Sequence, residues 1–189
     1  MNENERNESK EYFSRKTNIE DITMCVDGTH IKIKKPLHRP LLYLNRKHCY
    51  SLNVMLVCDH KYRIRAINAR FPGSNHDAHV WKVKLFVTGD AGYPSEPWLI
   101  RPHRNPGRGS EEASFNTLLS SGRIIVEMTI AILKSRFRCL NGGDGCLNYT
   151  PKKCAAIINV CRALHNVCIE HNIEGQQVFD DIMLSAQAT

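Results

Sequence analysis

Three acidic side chains stand among apolar neighbours in this chain, and that setting makes each a candidate for chemistry. Asp90 follows the apolar run Leu85, Phe86 and Val87 within VKLFVTGDAGYP, Val83 to Pro94, and is flanked by Gly89 and Gly92. A carboxylate at the C-terminal mouth of a buried strand lies where α/β sheets bind ligands. The glycines let the backbone turn sharply and let a ligand come close. The plainer alternative is an Asp-Gly turn that ends a strand. Asp27 lies in MCVDGTHIKIKK, Met24 to Lys35, and Glu127 in RIIVEMTIAILKSRFRCL, Arg123 to Leu140. Asp27 shares the parity of Ile31 and Ile33, so it points to the apolar side unless Gly28 makes a bulge. An inward acid is costly unless paired or metal-bound. If the three carboxylates converge, they form a site.

The stretch around Glu127 reads as helix, one or two segments over Glu111 to Leu140 with Gly122 as the point of any break. At 100° per residue, Arg123, Glu127, Ala131, Lys134 and Arg138 share one stripe. Ile125, Val126, Met128, Ile132, Leu133 and Phe137 cover the rest, which predicts a mostly buried helix with one narrow charged seam. A solvated face with an Arg123 to Glu127 ion pair explains the same pattern without function.

The elements that must position these acids follow from the chain in order. Residues 1–20 read as a polar lead, disordered or the end of a helix, with Tyr12 and Phe13 as its anchors. Ile22 to Lys34 alternates like a strand with one wet face. Pro36 to Pro40 is a basic loop. Ser51 to Cys58 and Tyr62 to Phe71 complete an antiparallel meander around the turn Asp59-His60-Lys61, in which Asp59 is a turn residue. Ser74 to Asp77 resembles a capping box, a structural role for Asp77. Ser95 to Arg108 is a proline-rich loop carrying Arg101 and Arg104. Pro151 opens a last helix to about His171, in which His165 and Asn166 read as hydrogen-bonded structural groups. Residues 173–189 form a tail.

A formal net charge of +7 over 189 residues favours a polyanionic partner such as nucleic acid, with an anionic membrane surface as the competing reading. No run is apolar and long enough to suggest a bilayer span, and the polar N-terminus does not resemble a signal peptide. Eight cysteines occur without a C-x-x-C pair. Cys154, Cys161 and Cys168 repeat every seven residues and read as small buried hydrophobes; Cys161, His165 and Cys168 as zinc ligands are the disfavoured alternative. Reduced thiols in a soluble intracellular protein are the expectation.

Together VDGTHI, YLNRKHCYSLNVMLVCD, the PGSNHD turn, GDAGYP, VEMTIAILKSRFRCL and the late ALHN resemble the catalytic domain of PIF/Harbinger-type transposases and the harbinger-derived nucleases. The likeness runs from about Tyr12 to Asn172. It implies a ribonuclease-H-like α/β fold over 21–172, a mixed sheet flanked by helices, with Asp27, Asp90 and Glu127 as a DDE triad. A metal-dependent nuclease acting on DNA is then expected, with the acids holding two divalent ions. Carboxylates favour hard ions, so Mg²⁺ or Mn²⁺ is expected as cofactor. Arg123, Lys134, Arg138, Arg101 and Arg104 would grip phosphates. Family analogy adds a separate Myb/SANT-like DNA-binding partner, no membrane, and a nuclear location with the cytoplasm as a second one. Two departures from the family pattern stand out. Only Ala78 to Lys82 remain between the PGSNHD turn and Val83, so part of one helix is expected to be missing, and the helix-turn-helix region that often precedes the nuclease stretch in the family is expected to be absent as well. A catalytically inactive, domesticated derivative that binds DNA or a partner is the alternative expectation.

Overall fold

An apolar start, Met24 to Val26, with the later alternation His30-Ile31-Lys32, and a largely apolar run, Leu52 and Val54 to Cys58, produce the two central strands, β1 (Met24–Lys32) and β2 (Ser51–Cys58). The computed structural model describes residues 1–74, 87–88, 99–143 and 145–173. β1 pairs antiparallel with β2, and β2 with β3 (Ile64–Pro72). On the other edge of β1, β4 (Val87–Thr88) runs parallel, followed by β5 (Leu99–Ile100), also parallel. The order β3-β2-β1-β4-β5 is the expected mixed sheet. β5 corrects the sequence reading, which made Ser95 to Arg108 a loop throughout. Asp77, the shortened stretch from Ala78 to Lys82, Asp90 and the tail beyond Ile173 lie outside the described residues.

Every residue of β2 is buried because both faces of the sheet are covered. One face carries Cys25, Ile31, Leu52, Val54, Leu56 and Cys58 and packs against α2 (Glu111–Arg136) and α3 (Pro151–Glu170). The opposite face holds the smaller cluster of Met24, Val26, Met55, Val57 and Leu99. Cys154 and Cys161 are buried in the first cluster as small hydrophobes, and all eight cysteines are free thiols.

The N-terminal lead is a helix, α1 (Glu3–Thr17), and it belongs to the core. Asn2 and Glu5 form a reciprocal capping box that satisfies its first amides. Ser9 Oγ donates to Thr23 O at 2.7 Å, and Phe13 is fully buried in the main cluster. Glu5 also accepts from Arg63 and Arg65; the Arg65 hydrogen bond, then the Asn2 amide, holds its carboxyl down at about 2.

α2 is one unbroken helix. Gly122 is a packing residue: a Cβ there would meet Thr17 Cγ2 at 2.7 Å, so the glycine is what lets α1 lie against α2. By length and composition α2 could cross a bilayer, contrary to the sequence reading that found no such run. Here Leu119, Ile125, Val126, Met128, Ile132 and Leu133 are instead buried in the protein.

Candidate active site

Asp27 stays in register opposite Leu56 with no bulge at Gly28, so it projects from the face of the sheet that α2 covers. The course of α2 over β1 is recorded by three contacts. Cys25 Sγ donates to Gly122 O at 3.2 Å, Arg123 Nη2 lies 3.8 Å from Asp27 Oδ2, and Lys134 Nζ donates to Thr29 Oγ1 at 2.7 Å. Strand residues 25, 27 and 29, all of one parity, thus meet helix residues in ascending order, and strand and helix run the same way.

Glu127, one turn after Arg123, faces the same guanidinium at 3.7 Å from Nη2. Both separations exceed hydrogen-bond length, so Arg123 pairs with the two carboxylates by charge. Asp27 is 22% exposed and Glu127 55%, which leaves both open to solvent from one side. Asp27 Oδ1 also accepts from Gly28 N at 2.8 Å, which fixes the rotamer of the acid. These donors are hard oxygens in acceptor-only groups, the set that suits Mg²⁺ or Mn²⁺ better than zinc. Among the described residues no group of three His, Cys, Asp or Glu side chains is gathered closely enough to hold an ion. The described acids at this place are two, and Asp90 lies outside the described residues. The strand that leads to it is adjacent to β1: Cys25 stands opposite Thr88, each two residues ahead of an aspartate.

Lys134 keeps its expected place on the stripe. Its ammonium sits on Thr29 Oγ1, with His30 O at 3.4 Å, and burial, then the nearby Lys47, push its pKa down. Arg138 does not continue the stripe, because α2 ends at Arg136 and Arg138 stands exposed in a 3₁₀ turn, Arg138–Leu140. Arg101 directly follows β5, at the same end of the sheet toward which β4 runs. Its loop is tied to α2 by Asn116, which accepts from His103 N and donates to His103 O. Arg104 is exposed in that loop. The sequence reading missed Thr29 as the seat of Lys134, although its even spacing from Asp27 was a usable signal.

His165 and Asn166 are structural, as their helical setting suggested. His165 Nδ1 accepts from Arg136 at 3.2 Å, which leaves Nε2 to donate to Tyr62 O at 2.9 Å. Asn166 accepts from Ile64 N and donates to Ile64 O. Asp59 is the turn residue expected, accepting from Lys61 N and Arg63 N. It is also buried against Arg65 Nε at 2.6 Å, an ion pair the sequence reading did not foresee.

The mixed sheet, with one acid on its central strand and another on the helix packed across it, is the framework of the ribonuclease-H-like endonucleases. Residues 26–166 match the family model described as DDE superfamily endonuclease, and the chain belongs to that family. It is similar to the Bos taurus and Homo sapiens proteins named "Putative nuclease HARBI1", each 32% identical over 178 aligned positions that take in 87% of this chain and 51% of the relative. It also resembles the Arabidopsis thaliana "Protein ALP1-like", 26% identical over 210 positions, with 95% of this chain and 50% of the relative covered. The chain spans about half the length of the curated relatives it matches. No solved structure matches it.

Proposed function

We propose that this chain is a divalent-metal-dependent nuclease that cleaves DNA phosphodiester bonds with Asp27, Asp90 and Glu127. The observation that carries the reading is the shared facing of Asp27 and Glu127 beside the strand pair whose register sets Cys25 against Thr88. Asp27 and Glu127 would hold the ions from strand and helix, and Asp90 would complete the set. When bound, Mg²⁺ or Mn²⁺ would activate a water or a DNA 3′-hydroxyl as nucleophile and stabilise the leaving oxygen. Arg123 and Lys134 flank the acids and would orient the phosphate entering beside them; Arg138, Arg101 and Arg104 would hold DNA further out. DNA as substrate implies a nuclear protein, and a Myb/SANT-like partner would supply sequence choice.

The test is plasmid nicking with Mg²⁺ or Mn²⁺. Wild type nicks, and Asp27→Ala, Asp90→Ala and Glu127→Ala each abolish nicking while remaining folded. Full activity in any one of them overturns the triad.

One observation favours a second reading, an inactive derivative that binds DNA or a partner. Arg123 already supplies both described carboxylates with a cation. That reading requires the melting temperature of wild type to be indifferent to Mg²⁺. A rise with Mg²⁺ that Glu127→Ala lacks supports the nuclease.

A further inference from the structure

At the far end of β1 the chain makes a second basic surface that the triad does not use. Leu147, on the connector after α2, bridges parallel to Ile33; its amide donates to Lys32 O and its carbonyl accepts from Lys34 N. This join lays the first turn of α3 beside the end of β1. Two lysine pairs, Lys34–Lys35 and Lys152–Lys153, then line one cavity of about 750 Å³, together with His38 and Tyr149. All four lysines are exposed, and no carboxylate is among the described residues that line the cavity. At seven residues from Asp27, Lys34 is roughly 23 Å along the strand, so this surface is separate from the acids.

The arrangement is unfavourable by itself. The start of a helix carries partial positive charge and favours acids in its first turn. α3 has none there and places two lysines instead, facing two more. Such a local conflict marks a functional surface when a ligand offsets it. Only an anion with several charges spread along its length would meet both pairs. Tyr149 adds a ring that is 49% exposed, with Lys153 Nζ 4.3 Å from its centroid, and Leu37, which lines the same cavity, is 95% exposed. Aromatic and apolar faces set between cations suit nucleobases that are not buried in a duplex.

We propose that this groove binds an unpaired strand of DNA, with the four lysines on successive phosphates and Tyr149 under a base. The identity of the polyanion rests on the nuclease reading; the existence of the groove does not.

The test is fluorescence anisotropy of the full chain in EDTA, where binding is read without cleavage. The probe is a labelled single strand of about 12 nucleotides. Replacing Lys34, Lys35, Lys152 and Lys153 together by Gln should weaken binding at least tenfold and reduce the salt slope by about 3, since each phosphate contact on a single strand contributes about 0.7. Tyr149→Ala should weaken the single strand about tenfold and leave a duplex of equal length unchanged. Cleavage is not read in this assay, so failure of the triad in the nicking test and failure of the groove here are separate results. Unchanged affinity in the lysine variant with an unchanged melting temperature overturns the proposal. So does equal competition by duplex DNA or by polyglutamate, which would assign the surface to charge alone or to an acidic protein.

Discussion

Asp27 and Glu127 share one guanidinium: Nη2 of Arg123 lies 3.8 Å from the strand carboxylate and 3.7 Å from the helix carboxylate. Arg123 is therefore the charge that keeps two neighbouring acids compatible without metal. Arg123→Gln should lower the metal-free melting temperature by about 3 °C, the size expected for about 1 kcal/mol in a chain of this length. The same variant should show a larger rise in melting temperature on adding Mg²⁺ than wild type does, because the ion then meets carboxylates that have lost the Arg123 charge. A smaller rise would mean that Arg123 helps to hold the ion.

Gly122→Ala tests the contact between α1 and α2. The added methyl would meet Thr17 Cγ2 at 2.7 Å, and Thr17 is itself held by its hydroxyl on Phe13 O. Neither side can move freely, so a loss of about 2 kcal/mol is expected in urea unfolding. Thr17→Ser removes the opposing methyl and keeps the hydroxyl bond. The double variant should recover most of the loss, whereas a helix-propensity effect would make Gly122→Ala stabilising alone.

His165 gives the fold an acid sensitivity. It is 0% exposed and its pKa is lowered to about 4, first by burial, partly offset by the Tyr62 carbonyl, with the Arg136 charge also lowering it. The unfolded chain takes up this proton below about 6.5 and the folded chain only below about 4. Protonation thus favours the unfolded state as pH falls between those values, and stability drops with it. The loss amounts to about 3 kcal/mol between pH 7 and pH 4. His165→Gln starts less stable at pH 7 and should show a flatter profile through this window. Below it, Glu5 takes over: its depressed carboxyl adds stability above the ordinary carboxylate range that is lost as pH approaches 2.

The sheet was legible where burial leaves a long pattern. β2 was read with its observed ends because a strand covered on both faces is mostly apolar, here Leu52 and Val54 to Cys58. β5 was not, because two residues lying between Pro97 and Pro102 carry no period. The α1 helix was half seen: its buried stripe is Ser9, Phe13 and Thr17, one aromatic and two hydroxyls at a spacing of four, which no hydropathy pattern reveals. Arg138 has the right angle for the Glu127 stripe, but an angle holds only while the helix lasts, and it ends two residues earlier. At the candidate site, the inward parity of Asp27 was readable from β1 alone, and the Arg123 to Glu127 pair from helical spacing. That Arg123 also reaches Asp27 depends on how α2 lies over β1, which no local pattern encodes. The Asp59 to Arg65 ion pair was hidden for the same kind of reason, since it depends on how the β2–β3 turn folds back.

Asn166 does for β3 what a further strand would do. Its amide trades two hydrogen bonds with Ile64, at 2.8 and 2.9 Å, and so stoppers one end of an edge strand. Edge strands with free amides and carbonyls recruit other chains. Peeling α3 away would uncork that edge in the same motion that bares the apolar core beneath it. The colloidal fate of the protein is in this way tied to one helix: while α3 is docked this end of the edge is closed, and when it lifts, self-association and local melting begin together.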